Sequence, residues 1–217
     1  HFRPKLNKGD FFILSCSDFC WFVLEPISDY VQDRKGELTK GKTLSFGQKA
    51  LYYWWYVDAQ VTNGGFTQFY YNDYGKYIPT IIKGLKHIGD IKMAELVNRS
   101  YEIYLKENKK IKDARQGGLE AFSNLYKEIK DFDNLDDEYY NLNDQTMKNI
   151  ETYFRNNPNE ICVDEDGKEF DFSKFKELNP QELIEHGVLP DIKGLYNETD
   201  KLIDGVIISH PHQDHYG

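Results

Sequence analysis

The stretch Trp54–Gly75 constrains the fold of this chain more than any other segment. It holds two aromatic runs at helical spacing, separated by the adjacent glycines Gly64 and Gly65. Because glycine lacks a Cβ, it adopts backbone angles that residues with a side chain avoid. The sequence therefore predicts two helical segments that meet at a sharp, fixed corner. We call the residues Asn63–Phe66 the glycine corner.

Apolar residues recur every three or four positions along most of the chain after Ser45, which is the spacing of one helical face. The segments with this spacing are Phe46–Val61, Phe66–Asn72, Ile78–Ile88, Ala94–Leu105, Leu119–Ile129 and Met147–Phe154. Ser45 is placed to cap the first segment, Gly89 to end the third, and Asn157-Pro158 to end the last. Lys106–Lys112 is predicted as a solvated turn. We therefore expect a mainly α fold with a compact multi-helix domain.

The segments on either side of this helical domain, residues 45–160, differ from it in character. Residues 1–44 are predicted as an N-terminal extension that packs on the domain, with a short helix over Phe22–Gln32 and a loop over Asp33–Leu44. Residues 161–217 are predicted as a small, partly β C-terminal appendage. The alternating segment Ile161–Phe172 contains an Asp-Gly pair, which predicts a hairpin. Leu202–Ser209 predicts a strand.

The composition of the 217-residue chain fits a globular protein that does not bind nucleic acid directly. Apolar residues make up 40% and aromatic residues 15%, which is enough for a sizeable core. No apolar run approaches the roughly 20 residues of a membrane helix. The net charge is −9, whereas nucleic-acid binding relies on basic residues. Three cysteines make no disulfide framework, and no export signal is recognisable, so we expect a cytoplasmic protein.

Polar side chains surround the glycine corner. The structural motif that we single out consists of Asn63, Gly64, Gly65, Phe66, Gln68 and Asn72. Its amide side chains either form a recognition pocket or cap backbone groups that the corner leaves unpaired. The surrounding aromatic residues fit a core, part of which is exposed to a partner. No standard catalytic pattern occurs here, so we expect no catalytic residues and no required cofactor.

Three segments of the chain together resemble the DMP19-like family. They are NGGFTQFYYN at the glycine corner, KHIGDIKMAEL, and LDDEYYNLNDQTMKNIETYFRNNPNE. The resemblance spans roughly Ser45–Glu160, with the motifs in the expected order. It implies an all-α fold. The family takes its name from a bacterial DNA-mimic protein, and such mimics present carboxylates spaced like phosphates and occupy the DNA-binding face of a regulator.

Acidic residues concentrate in two blocks of the sequence. The first block contains Asp131, Asp133, Asp136, Asp137, Glu138 and Asp144, and the second contains Asp164, Glu165, Asp166, Glu169 and Asp171. One interpretation is a solvated helix end and a turn, where acids are common. The other is a set of carboxylates that imitates phosphates and attracts a basic protein. We predict a non-enzymatic domain whose first block binds a protein partner, such as a DNA-binding regulator, and whose exposed aromatic faces favour a homodimer.

The end of the chain carries a local metal-binding pattern. The sequence DGVIISHPHQDHYG resembles the HxHxDH loop of the metallo-β-lactamase superfamily, which implies metal ligation by His210, His212, Asp214 and His215. Imidazole and carboxylate ligands suit zinc, which activates a bound water. The further ligands that this superfamily supplies after the loop are missing, so hydrolase activity is not expected. The alternative to a protein-binding domain is a fragment or fusion remnant of a metallohydrolase whose tail binds zinc.

Metal analysis tests the tail directly. If the tail ligates zinc, protein purified without a histidine tag retains stoichiometric zinc. His212→Ala is expected to lose that zinc, because one imidazole ligand is removed. A parent protein that holds no zinc after incubation with the metal and gel filtration would contradict the prediction, and so would a zinc content that His212→Ala leaves unchanged.

Overall fold

Helices dominate residues 2–170, the part of the chain that the structure, a computed structural model, describes. This part contains nine α-helices: α1 (Lys8–Ile13), α2 (Cys16–Val31), α3 (Arg34–Glu37), α4 (Phe46–Tyr71), α5 (Ile78–His87), α6 (Ile91–Ala114), α7 (Gly118–Glu128), α8 (Asp133–Asn156) and α9 (Pro158–Ile161). It also contains 3₁₀ helices at Lys40–Thr43, Tyr74–Tyr77 and Lys130–Phe132, and the strands β1 (Lys5–Leu6) and β2 (Val163–Asp164). The predicted mainly α fold is confirmed. No helix within residues 2–170 is both long and apolar enough to cross a membrane.

Helix α4 is the centre of the fold. It packs against α2, α5, α6 and α8. Its large side chains are mostly buried, and Trp54, Phe66 and Tyr70 have no solvent exposure at all. Burial of such side chains supplies much of the favourable free energy of folding. The aromatic runs on both sides of the glycine corner therefore belong largely to the core.

The start of α4 is fixed by a reciprocal cap. Ser45 Oγ accepts a hydrogen bond from Gln48 N–H at 3.1 Å, and Gln48 Oε1 accepts one from Ser45 N–H at 2.8 Å. Each bond satisfies a donor that a helix start leaves free. The predicted cap at Ser45 is confirmed. The Gln48 amide also donates to the carbonyls of Phe2 and Ile161, which joins both flanking segments to α4.

The glycine corner lies inside α4. Both Gly64 and Gly65 leave the helical region, and Gly65 has φ +68° and ψ −178°. This positive φ is open to glycine and strained for residues with a Cβ. The predicted corner between two helical segments is confirmed, and the second segment begins at Phe66.

The first part of the chain and the end of α6 are more helical than predicted. Lys106–Lys112 continues α6 instead of forming a turn, because Ile111 is fully buried there. In proteins, tertiary packing of a buried side chain adds helical stability that local sequence alone does not show.

The predicted loop Asp33–Leu44 contains α3, where Asp33 accepts hydrogen bonds from two backbone N–H groups. Helix α2 begins at Cys16, well before its predicted start.

The strand β2 has a partner that the sequence did not predict. It lies parallel to β1, with Val163 opposite Lys5. The predicted turn forms, since Gly167 N–H donates to Asp164 C=O at 2.9 Å. Asp164 N–H also donates to Lys168 C=O at 2.8 Å, so the chain turns back beside β2. The end of the predicted hairpin, residues 171 and 172, lies outside the described residues.

Replacement of Gly65 tests the corner. Gly65→Ala puts a Cβ at positive φ and 2.2 Å from Asp136 Oδ2. We expect the free energy of unfolding to fall by more than about 1 kcal/mol. Gly118→Ala is the control, because Gly118 has a similar φ of +71° and nothing lies within 4 Å of the added Cβ. Urea denaturation measures both variants, and equal losses would contradict a specific clash at the corner.

Candidate functional site

Asp136 of α8 binds the glycine corner. Its Oδ1 accepts a hydrogen bond from Phe66 N–H at 2.8 Å, across 70 residues of sequence. Phe66 begins a helical segment, and the first N–H groups of such a segment have no partner within the helix. A carboxylate at this position satisfies one donor and interacts favourably with the positive end of the helix dipole. Asp136 therefore caps the second half of α4 from another helix.

Helix α7 supplies a matching donor to the corner. Tyr126 Oη donates to Gly64 C=O at 2.8 Å. The corner thus receives a donor from α7 and an acceptor from α8. Both bonds go to backbone groups at the point where the helical ladder of α4 is interrupted. The corner is therefore a junction of three helices.

The amide side chains near the corner bind one another. Asn63 Nδ2 donates to Gln68 Oε1 at 3.0 Å, and Gln68 Nε2 donates to Gln60 Oε1 at 3.2 Å. Asn72 Nδ2 donates to the same Gln60 oxygen at 2.7 Å. Side chains from α7 and α8, and not these amides, therefore bind the backbone of the corner. Gln60, which links the amides, lies outside the motif singled out from the sequence.

A second polar contact joins α4 to α8. Tyr139 Oη and Asn143 Nδ2 both donate to Asp58 Oδ1, at 2.7 and 3.0 Å. Burial raises the pKa of Asp58, and the two hydrogen bonds oppose that rise. Sequence reasoning missed this contact. The sequence did hold a signal for it, because Asp58 lies inside an aromatic helical run. A carboxylate that is buried in such a run needs hydrogen-bond partners.

The first acidic block does not form one uniform surface. Asp136 is turned into the corner, and Glu138 pairs with Arg99. The other four carboxylates are exposed, and we call them the acidic face: Asp131, Asp133, Asp137 and Asp144. Asp133 pairs with Lys130 at 3.3 Å, whereas the other three have no ion pair within residues 2–170.

Helical geometry aligns three members of the acidic face. Asp133, Asp137 and Asp144 project within about 40° of one another around α8. The rise of the helix separates them by about 6 Å and about 10.5 Å along its axis. The opposite side of α8 packs on α2, α4 and α6 and buries Leu135 and Ile150. The three carboxylates therefore form a line on the solvent side of a fixed helix.

Residues 42–157, which include the glycine corner and α8, match a known family. The match is to the DMP19-like protein family, and it covers more than half of the 217-residue chain. The chain belongs to the DMP19-like family. Comparison with curated proteins finds no match. Membership confirms the resemblance carried by the corner and the segments after it, and it fits a non-enzymatic protein-interaction domain.

The second acidic block of this DMP19-like protein is largely paired. Asp164 is buried and forms an ion pair with Lys8 at 2.8 Å, and the hydrogen bond from the Lys8 ammonium lowers the pKa of Asp164. Glu165 accepts a hydrogen bond from the backbone N–H of Lys8 at 3.0 Å. Glu169 pairs with Arg3 at 3.2 Å. The charges of Asp164 and Glu169 are therefore matched by cations of the same protein.

The predicted metal ligands lie outside the described part of this DMP19-like chain. The residues concerned are His210, His212, Asp214 and His215, and Asp171 of the second acidic block lies outside it too. Within residues 2–170, no group of three or more His, Cys, Asp or Glu side chains is arranged to hold a metal ion. Zinc binding by the tail stays a prediction. The three cysteines are free thiols, in agreement with the sequence.

The carboxyl group at the corner titrates at an unusually high pH. Burial raises the pKa of Asp136 to about 6, and the nearby carboxylates of Asp133 and Asp137 add to the rise. The hydrogen bond from Phe66 N–H opposes it. The folded protein therefore holds a proton at Asp136 more readily than the unfolded chain does.

Removal of this titration is expected to change how stability depends on pH. Between about pH 4 and pH 6 the folded state binds more protons at Asp136 than the unfolded state, so this group makes the free energy of unfolding fall as the pH rises through that window. Asp136→Asn keeps an acceptor for Phe66 N–H and removes the titration. Relative to the parent protein, the variant therefore gains stability as the pH rises from about 4 to 7. Urea unfolding across this range measures the difference.

A companion variant separates the hydrogen bond from the charge. Asp136→Ala removes the acceptor and leaves Phe66 N–H unpaired, so we expect a loss of about 1–3 kcal/mol in the free energy of unfolding. The raised pKa would be contradicted if the stability difference between Asp136→Asn and the parent protein stayed constant across the pH range.

Proposed function

We propose that this DMP19-like protein binds a basic protein partner through the acidic face of α8, with its carboxylates in the place of DNA phosphates. The partner is a DNA-binding regulator, and the interaction takes place in the cytoplasm. The observation that carries the proposal is the line of exposed carboxylates Asp133, Asp137 and Asp144, the last two without an ion pair within residues 2–170. A homodimer that buries exposed aromatic side chains stays a prediction.

Unpaired exposed carboxylates are suited to attract a cationic surface. A carboxylate that is already paired must give up its partner, whereas Asp137 and Asp144 can contact a new cation directly. The chain carries a net charge of −9, which strengthens the attraction at longer range. Charges of this kind act mainly on the association rate and on the choice of partner. The proposed surface therefore favours basic partners before close contacts form.

The acidic face is held in place by the contacts of α8. Asp136 joins α8 to the glycine corner, and Tyr139 joins it to Asp58 in the middle of α4. Ring contacts of Phe66 with Phe132 and Tyr139 support the same junction from the apolar side. A surface that is arranged before binding loses less conformational entropy when the partner arrives. These contacts support a recognition surface, with the glycine corner as its foundation.

The second acidic block is a weaker candidate for the same role. Asp164 is buried, and its charge is matched by Lys8. Glu169 is matched by Arg3. A partner that used these carboxylates would first have to separate existing ion pairs, so we assign the binding surface to α8.

Removal of charge from the acidic face tests the proposal. Partners are captured from a lysate on the immobilised protein, and one captured DNA-binding protein is purified for affinity measurements. Asp137→Asn combined with Asp144→Asn is expected to weaken binding roughly 2- to 20-fold at about 50 mM salt. The loss shrinks at about 500 mM salt, because ions screen exposed charges. Double-stranded DNA is expected to compete with the DMP19-like protein for the same partner.

A matched control separates the acidic face from net charge. Glu25→Gln combined with Asp29→Asn removes the same charge from exposed positions of α2. The proposal predicts nearly unchanged binding for this pair. Equal weakening by both pairs would assign the effect to net charge alone, and a partner that binds DNA and the DMP19-like protein together would rule out mimicry.

A further inference from the structure

A cavity of about 480 Å³ opens where α3, the start of α4 and the start of α5 meet. Its volume lies within the range of small-molecule sites, about 300–1,000 Å³. Three lysines line it: Lys42, Lys49 and Lys83. A collection of lysines around one cavity is unexpected in a chain with 36 acidic and 27 basic residues. The acidic face plays no part in this cavity.

The lysines come together without a countercharge. None of the three has an ion pair within residues 2–170. Lys83 Nζ lies 4.5 Å from the centre of the Phe46 ring, and Lys49 Nζ lies 5.7 Å from the same point. Lys49 Nζ also donates to Lys42 C=O at 3.2 Å. Because two ammonium groups beside one ring repel each other, this arrangement favours a bound anion.

Glu37, a carboxylate that lines the cavity, is already occupied. Tyr56 Oη donates to its Oε1 at 2.6 Å, and Tyr52 Oη reaches the same oxygen at 3.4 Å. Tyr77 Oη donates to its Oε2. The side chain is buried, and no lysine of the cavity lies within ion-pair distance of it in the described part of the chain. Glu37 therefore does not serve as the countercharge of the lysines.

Two hydroxyl groups of the cavity wall are free to bind a ligand. Tyr53 and Thr80 line the cavity, and neither hydroxyl has a hydrogen-bond partner within residues 2–170. Thr80 lies in the first turn of α5, where the helix dipole also favours an anion. Together with the lysines, these hydroxyls give the cavity many hydrogen-bond donors. The carboxylate of Glu37 already accepts hydrogen bonds from tyrosine side chains. Such a wall suits a ligand that is rich in acceptor oxygens.

We propose that this cavity binds a phosphate monoester of a small organic molecule. Lys49 and Lys83 contact the phosphoryl oxygens, Tyr53 and Thr80 donate to them, and the organic part lies against the exposed ring of Phe46. A phosphoryl group carries a charge of about −1.5 to −2 and three strong acceptor oxygens. It therefore matches the charge and the number of donors better than a single carboxylate does.

The electrostatics of Lys49 agree with this assignment. Burial lowers the pKa of Lys49, and the ammonium of Lys83 lowers it further. A phosphoryl group between the two side chains would favour the charged form of both. Ligand binding is therefore expected to raise the pKa of Lys49, which NMR of its side chain can follow.

Titration of the full chain with adenosine 5′-monophosphate tests the proposal, with calorimetry and NMR as readouts. Adenosine 5′-monophosphate is expected to bind with a Kd below about 1 mM, orthophosphate more weakly, and adenosine not at all. Lys49→Gln and Lys83→Gln are each expected to lower the affinity for adenosine 5′-monophosphate roughly tenfold, because each removes a charged hydrogen bond. Lys86→Gln is the control, since Lys86 is exposed on the same helix as Lys83 and does not line the cavity.

Several outcomes would overturn the proposal. The ester could fail to saturate the protein at about 10 mM, or all three lysine variants could bind it with the affinity of the parent protein. Equal affinity for orthophosphate and the ester would refute a role for Phe46 in holding an organic part. Thermal unfolding of each variant confirms that a lost affinity comes from the cavity and not from the fold.

Discussion

The rest of the structure depends on the hydrogen bond from Phe66 N–H to the carboxylate of Asp136, which joins the glycine corner of α4 to α8. It caps a helical segment that starts in the middle of the protein, where its first N–H groups have no partner within the helix. It also fixes α8 against α4. Gly65 is required for this contact, because a Cβ there would come within 2.2 Å of Asp136 Oδ2. The absence of a Cβ at Gly65 therefore permits both the break in α4 and the close approach of Asp136 of α8.

Helix α4 organises both surfaces to which we assign binding. Its first helical segment starts at the Ser45 cap. Phe46 and Lys49 from the first turns of this segment line the cavity that contains the three lysines. Its second segment starts at the corner and holds α8, whose solvent side carries the acidic face. The two segments of α4 thus support two surfaces of opposite charge. In this way a protein with a net charge of −9 can attract a basic partner at one surface and an anion at another.

Local patterns in the sequence predict local features such as helices and turns, but they do not identify contacts between distant residues. Adjacent glycines between aromatic runs predict the corner, because only backbone freedom is needed. The partners of the corner, Tyr126 and Asp136, are 62 and 70 residues away, and no local pattern identifies them. The acidic block looks uniform in the sequence, yet helical rotation turns Asp136 inward and leaves Asp137 outside. The sequence did not predict the cavity lined by lysines, because Lys49 and Lys83 belong to different helices.

The most direct test of this account is an NMR titration that follows the Asp136 carboxyl carbon and the Phe66 amide proton together. The account predicts that both signals titrate with one midpoint near pH 6, because the amide donates to the carboxylate whose pKa burial raises to about 6. In Asp136→Asn, the Phe66 amide is expected to lose this titration. A midpoint for Asp136 near that of an ordinary aspartate, or a Phe66 amide shift that does not follow it, would contradict the central role of this contact.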